Sequence, residues 1–99
     1  MTQPQLRAFE VIWTNWYGAK QVRLLEFGTH GYARKRTDGS VRSERGYADI
    51  EAYAREESTG TLLLTLRDGT VETYSSSIDG VIDAIVRILK QHDIPCKNE

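Results

Sequence analysis

Two aromatic and two basic side chains near the start of the sequence are residue types suited to binding a phosphate group. Trp16 and Tyr17 fall in a predicted turn that contains Gly18, and Lys20 and Arg23 follow it. Arginine matches phosphate oxygens with paired N–H donors, and lysine supplies a point charge. Aromatic side chains with a polar edge favour the membrane–water interface. This stretch therefore predicts a peripheral contact with an anionic membrane surface.

A second basic group, Arg34, Lys35 and Arg36, lies at the end of a predicted strand. Because side chains alternate along a strand, Arg34 and Arg36 share one face and Lys35 takes the other. A phosphoinositide headgroup needs two or three convergent cations. Lys20, Arg23 and either Arg34 or Arg36 could supply them, so these residues, with the two turn aromatics, are the candidate lipid-binding residues.

Two alternatives stay open at this point. The basic residues could form a solvated edge that balances nearby acids such as Glu26 and Glu44, and Trp16 could fold back onto the edge of the sheet. Trp13 is a different case, because it alternates in phase with Phe9 and is expected to be a core residue. The two tryptophans of the chain are therefore predicted to have different roles.

These residues must be positioned by short strands, because alternating segments separated by turn signals such as Asp38-Gly39 and Asp68-Gly69 fill most of the chain. In the fifth segment, alternation places Ile50 and Ala52 on the face opposite Tyr53. The seven predicted strands span about 7–14, 20–27, 31–36, 41–45, 47–55, 61–67 and 70–75.

The apolar spacing then changes to three and four residues, which predicts an amphipathic helix that Ser76 or Ser77 caps and Pro95 ends. Gly80 would be a weak point inside its first turn. Seven antiparallel strands followed by one such helix are typical of the pleckstrin-homology (PH) superfold. The expected fold is therefore mainly β, a PH-like seven-stranded β-sandwich or barrel capped by a C-terminal amphipathic helix.

Length and composition fit one globular domain over residues 1–99, with an ordered core of about 6–94. The chain has 99 residues, of which 39% are hydrophobic and 27% charged, and its net charge is −1. The first fifty residues carry eight Lys or Arg against five acids. This asymmetry could orient a basic end toward an anionic surface, although scattered solvated charge is the alternative.

Catalytic chemistry is not expected, because His30 and His92 are far apart in the sequence and neither has a metal-ligand spacing. The one cysteine, Cys96, is interpreted as an inert thiol near the C-terminus. We therefore predict a non-enzyme with no catalytic residue, metal or cofactor, and no nucleic-acid partner. No apolar run resembles a signal peptide or a spanning helix, so a cytoplasmic protein is expected.

Several residues at characteristic spacing give the chain a family resemblance. They are Phe9-x-Val11, Trp16 followed by Gly18, Arg23, Gly28-Thr29-His30, Val41, Tyr47-x-Asp49-Ile50 and the stretch LTLRDG before the helix. Over about residues 9–90, this pattern resembles the amino-terminal PH-like domain of the endosomal DnaJ-domain co-chaperones of receptor-mediated endocytosis (the DnaJ subfamily C member thirteen family).

The resemblance implies peripheral association with early endosomes and binding of phosphatidylinositol 3-phosphate at the first β-hairpin, where Trp16 and Arg23 match family residues. It also implies, through a larger parent protein, partners such as an Hsc70-type chaperone and retromer-associated proteins. The sequence departs from the family where Trp13 replaces a lysine. The segment from Gly18 to Arg23 is also one residue longer, and Lys20 could compensate for the lost cation.

Protein binding is the alternative to this lipid-binding function. A PH-like module can instead bind a protein, either an extended peptide at the edge of the fifth strand or an adjacent domain of its parent chain, without lipid. The two functions differ in one structural expectation. If Lys20, Arg23 and Arg34 point apart and Trp16 packs down onto the sheet, protein binding is favoured, whereas converging cations favour lipid binding.

Overall fold

The segments that alternate in the sequence are antiparallel strands in the computed structural model, which describes residues 7–56 and 58–97. This described part contains seven strands, a short 3₁₀ turn and one α-helix. They are β1 (Arg7–Thr14), β2 (Lys20–Phe27), β3 (Gly31–Lys35), β4 (Val41–Gly46), the 3₁₀ turn (Tyr47–Asp49), β5 (Ile50–Glu56), β6 (Thr61–Leu66), β7 (Val71–Ser75) and α1 (Val81–Gln91). The predicted mainly-β fold with a C-terminal helix is confirmed. The expected start of the ordered core at residue 6 lies outside the described residues.

The strands form one sheet in the order β4-β3-β2-β1-β7-β6-β5, with β4 and β5 at its open edges. The two halves of the sheet join where the end of β1 pairs with β7, through Ile12 with Ser75, Trp13 with Tyr74 and Thr14 with Thr73. The fold is therefore the expected sandwich-like structure, but its halves are continuous through this short ladder and are not two separate sheets.

The core lies on one face of this sheet, because alternate residues of each strand point inward. Val11, Leu25, Leu64 and Tyr74 are almost wholly buried there, and Leu89 of α1 packs into the same cluster. Burial of each such side chain contributes about 2 kcal/mol. The helix covers the sheet with the apolar stripe that the sequence predicted. No helix among the described residues has the length and apolar character needed to cross a membrane.

The start of α1 differs from the prediction. Gly80 is the residue before the first helical turn and has a left-handed backbone, with φ of 85°. Glycine adopts this conformation without steric cost, so it permits the helix to start there and is not a weak point inside the helix. The predicted serine caps are wrong, because no side chain caps the helix and the Ser76 hydroxyl accepts a hydrogen bond from the backbone N–H of Ile78 at 3.1 Å.

The predicted alternation of the fifth strand is also wrong. Residues 47–49 form the 3₁₀ turn, and the register between β5 and β6 shifts between Ile50 and Ala52. After this shift Tyr53 pairs with Leu64, and both side chains are buried. The irregularity therefore turns an aromatic residue inward that strict alternation would have placed outside.

The segment after α1 pairs with the edge of β5 and extends the ordered structure past residue 94. The backbone N–H of Tyr53 donates to the carbonyl of Pro95 at 2.9 Å, and that of Lys97 donates to the carbonyl of Tyr53 at 2.8 Å. Cys96, between them, is partly buried and packs against the core. Cys96, which the sequence placed only as an inert thiol near the C-terminus, is thus part of the packed fold.

Candidate functional site

The turn between β1 and β2 projects two aromatic side chains from one end of the sheet. Asn15 is buried and closes the turn, since its Oδ1 accepts the backbone N–H of Ala19 at 2.8 Å. Gly18, with φ of 86°, supplies the left-handed position that the turn requires. Trp16 is consequently 93% exposed and Tyr17 64% exposed. The alternative in which Trp16 folds back onto the sheet is wrong.

Arg23 and Arg34 lie on the inward face of the sheet, at the end where apolar packing stops. Arg23 is opposite Val11 and precedes Leu25 by two residues, and Arg34 is opposite Leu25. Alternation therefore gives both arginines the same side as the core. Both side chains reach the end of the sandwich, where they line a cavity with other polar residues.

Four arginine side chains line one cavity of about 300 Å³ at this end. The lining residues are Trp13, Asn15, Trp16, Tyr17, Gln21, Arg23, Arg34, Arg36 and Arg42. Desolvation and the positive charges of Arg36, Arg34 and Arg42 lower the pKa of Arg23. An anion in the cavity would relieve this repulsion between like charges, so the cavity is suited to bind one.

Not all of the sequence-predicted basic residues reach the cavity. Lys20 is exposed at the start of β2 opposite Thr14, and it is not among the lining residues. It is an odd number of positions from Arg23, so it belongs to the other face. Lys35 also lies on the outer face, where its Nζ contacts the Glu26 carboxylate at 3.1 Å. The predicted separation of Arg34 and Arg36 from Lys35 is confirmed.

Arg42 is a cavity residue that the sequence analysis missed. Arg34 pairs with Ser43, but the next residue, Lys35, pairs with Val41, so the register shifts and Arg42 has no opposite residue. A bulge of this kind re-aims a side chain that regular alternation would direct elsewhere. The only signal in the sequence was a further arginine close to the Asp38-Gly39 turn.

Arg34 is held in place by a buried carboxylate. Its Nη1 lies 3.3 Å from Oε2 of Glu72, and it donates to the Tyr74 hydroxyl at 3.2 Å. The hydroxyls of Tyr32 and Tyr74 both donate to Oε1 of Glu72. Burial, and then the Glu72 charge, raise the pKa of both tyrosines. The Trp13 ring covers the other side of the Arg34 guanidinium.

The three other arginines of the cavity have no such partner. Within the described part of the chain, no carboxylate forms a salt bridge with Arg23, Arg36 or Arg42. Arg23 is oriented by the side chain of Gln21 and donates to the carbonyl of Val22 at 2.8 Å. Asp38, the acid nearest to Arg36 in the sequence, is exposed and accepts hydrogen bonds from Ser40, and the charges of Arg36 and Arg42 help to lower its pKa. Among the described residues, the cavity therefore offers a ligand three cations that are not held in a salt bridge.

A hollow of about 380 Å³ on β3 and β4 is a poorer candidate. It is lined by both Glu26 and Glu44, while its arginine, Arg45, lies 3.6 Å from Asp68. Its charges are mixed, and no aromatic residue is exposed beside it in the way that Trp16 is beside the arginine cavity. The larger volume alone does not make it a ligand site.

Fold and site together define a mainly-β, sandwich-like protein with an arginine-lined cavity beside an exposed aromatic turn. No protein-family model matches the chain, and no curated protein matches it. The resemblance to the endosomal DnaJ-domain co-chaperones therefore stays a prediction. Among residues 7–56 and 58–97, no three His, Cys, Asp or Glu side chains group as a metal site requires.

Proposed function

We propose that this protein is a non-catalytic PH-like module for peripheral membrane targeting, which binds the phosphorylated headgroup of a phosphoinositide in the arginine cavity. One observation carries the proposal. Arg23, Arg34, Arg36 and Arg42 line a single cavity, and the 93% exposed Trp16 lies on its rim.

The chemistry of arginine supports a phosphate ligand. A guanidinium binds two phosphate oxygens at once, and such charge-assisted hydrogen bonds are about twice as strong as neutral ones. Arg23, Arg36 and Arg42 form no salt bridge among the described residues. A group rich in acceptor oxygens would complement the guanidinium donors that line the cavity, whereas an apolar ligand would leave them without an acceptor.

The position of the aromatic residues supports a ligand at a membrane surface. Trp16 and Tyr17 lie at the tip of the β1–β2 turn, and their rings meet edge to face at 5.0 Å. Two adjacent exposed rings form an apolar patch, and exposed apolar patches rimmed by polar residues mark contacts with proteins or membranes. Insertion of both rings between lipid headgroups would add to the attraction of the arginines, and two weak signals together give stable anchoring.

Phosphatidylinositol 3-phosphate, and with it the early endosome, is the most specific form of this proposal. It follows from the family resemblance at Trp16 and Arg23. The same resemblance extends the proposal to a larger parent protein that works with an Hsc70-type chaperone and retromer-associated proteins in endocytosis. These partners depend on the family assignment, whereas the phosphate site depends only on the arginines.

The alternative, docking of an extended peptide at the β5 edge, is less favoured. The backbone of Tyr53 already bonds to Pro95 and Lys97 there. A peptide would have to displace this segment before it could pair with the middle of the strand. The arginine cavity has no such occupant within the described residues.

Sedimentation with liposomes tests the proposal. Vesicles that contain phosphatidylinositol 3-phosphate should retain the wild type, and both Arg23→Ala and Trp16→Ala should weaken retention by roughly tenfold, since each removes one of the two signals. Arg87→Ala is the matched control, because it removes the same charge from the exposed face of α1. Failure of the wild type to bind any phosphoinositide vesicle at low salt would refute the proposal.

A further inference from the structure

We infer that Glu72 sets the number of phosphate groups that the cavity accepts, by neutralising Arg34 so that the ligand meets three cations instead of four. This inference rests on the proposed function and specifies its ligand as a headgroup with one phosphomonoester. Glu72 would act through Arg34 and would not touch the ligand, so it is a positioning residue.

Arg34 and Glu72 form an enclosed ion pair. The side chains of Arg34 and Glu72 are only 12% and 5% exposed, and their Nη1 and Oε2 atoms are 3.3 Å apart. The Arg34 guanidinium carbon lies 4.0 Å from the centre of the Trp13 ring. Enclosed in this way, the pair is weakly screened by solvent, so the carboxylate cancels most of the field of the arginine inside the cavity.

Two further hydrogen bonds fix the carboxylate itself. Tyr32 and Tyr74 both donate to Oε1 of Glu72, and Tyr74 does so at 3.0 Å. Oε2 is thereby left to Arg34. A carboxylate with two tyrosine donors and one arginine donor has little reason to turn toward another cation. Glu72 is thus paired with Arg34, and among the described residues no salt bridge joins it to Arg23, Arg36 or Arg42.

The charge of the headgroup can be compared with the number of cavity arginines that Glu72 leaves unneutralised. A phosphoinositide headgroup with one monoester carries about −2.5 to −3, from roughly −1.5 to −2 on the monoester and about −1 on the diester. The three arginines that form no salt bridge among the described residues match this charge. A second monoester brings the charge of the headgroup to about −4 to −5. Three cations do not balance this charge, and unbalanced charge is costly in a partly desolvated cavity.

Substitution of Glu72 should therefore alter selectivity and not only affinity. In Glu72→Gln the amide keeps the size and an acceptor oxygen for the tyrosines, but it releases the charge of Arg34. We expect the ratio of dissociation constants, bisphosphate over monophosphate headgroup, to fall by roughly fivefold, because an added cation attracts the more highly charged ligand more strongly. Arg34→Gln should raise the same ratio, since it leaves the Glu72 charge uncompensated.

Isothermal titration calorimetry with deacylated phosphatidylinositol 3-phosphate and deacylated phosphatidylinositol 3,5-bisphosphate measures this ratio without a membrane. Partial unfolding of a variant lowers its apparent affinity for both ligands by the same factor, so it does not change the ratio of dissociation constants. Glu44→Gln is the matched control, because it removes a carboxylate charge from an exposed position outside the cavity. It should leave the ratio unchanged.

Opposite shifts in Glu72→Gln and Arg34→Gln would support the inference. An unchanged ratio in Glu72→Gln would overturn the inference. An equal fall in affinity for both headgroups in Arg34→Gln would overturn it too. If Glu72→Gln does not fold, the Arg34→Gln measurement alone decides the question. If the wild type binds neither soluble headgroup nor any phosphoinositide vesicle, the proposed function itself fails and the inference falls with it.

Discussion

The guanidinium of Arg34 stacks on the ring of Trp13, with 4.0 Å between the guanidinium carbon and the ring centre. Arg23 approaches the same ring at 5.6 Å. Trp13 packs against the core on one side and supports two cavity arginines on the other. A tryptophan face attracts cations, so this contact both completes the core and positions the site.

The two tryptophans should therefore differ in their effect on stability. Trp13→Ala removes a ring packed against the core and its cation–π contacts, so it should lower the free energy of unfolding by about 2 kcal/mol. Trp16→Ala should change it by less than about 0.5 kcal/mol, because its side chain is almost wholly exposed. Urea unfolding followed by circular dichroism measures both. Equal losses would contradict the distinct roles.

Arg42 should contribute to ligand binding but not to stability. It is exposed, lines the cavity and forms no salt bridge within the described residues. Arg42→Ala should weaken binding of the soluble monophosphate headgroup by roughly tenfold and reduce its dependence on salt, because one charged contact is lost. Calorimetry at two salt concentrations tests this, with Arg87→Ala as the equal-charge control. If Arg42→Ala binds the headgroup with wild-type affinity, the side chain that the bulge directs into the cavity does not contribute to binding.

Gly31 should tolerate no side chain. It pairs with Gly46 across the β3–β4 ladder, and a Cβ atom at this position would lie 2.0 Å from the backbone oxygen of Arg45. Gly31→Ala should destabilise the fold by about 3 kcal/mol, because two backbones would have to separate. Gly39→Ala, at a left-handed turn with open space around it, should cost about 1 kcal/mol. A comparison of the two unfolding midpoints decides whether the close approach matters.

Stability should fall at alkaline pH because of the two buried tyrosines beside Glu72. Burial raises the pKa of Tyr32 and Tyr74 above the ordinary value of about 10, so the folded state favours their protonated forms. Their contribution is fully present below the ordinary pKa and is lost as the pH rises above it. Each tyrosine should remove about 1.4 kcal/mol at one pH unit above that value.

Thermal unfolding between about pH 8 and pH 11 measures this loss, and Tyr32→Phe provides the comparison. The variant should be less stable than the wild type near neutral pH but should lose less of its stability on the alkaline side. A parallel decline in both proteins would show that other groups cause the loss.

Much of the fold could be predicted because the strands keep a regular period. Alternation correctly separated Arg34 and Arg36 from Lys35. The predicted strand ends agree with the structure to within one residue, except at β5. Among the strands, the failures occur where the period is broken, at the Arg42 register shift and at the 3₁₀ turn and register shift around the start of β5. A register shift depends on how two strands meet, and a single strand sequence carries little information about its partner.

The site was predicted less completely than the fold. Trp16, Tyr17, Arg23, Arg34 and Arg36 do line one cavity, but Lys20 does not, because its strand position gives it the other face. Glu72 was missed, although it lies two residues before the buried Tyr74 and so shares its face. The available signal was that Glu72, an acid, alternates in phase with a buried aromatic residue. The sequence does not identify its cation partner, because Arg34 is thirty-eight positions away.

The inward row of β2 runs from Phe27 through Leu25 to Arg23, so the proposed binding site continues the core and is not an addition to the surface. An apolar residue at position 23 would extend that row and pack on Val11, its cross-strand neighbour. Selection for thermal stability alone should therefore favour such replacements, and the gain in melting temperature would come with loss of the ligand. Sequences that retain arginine at this position should be ones in which binding, and not folding, is under selection.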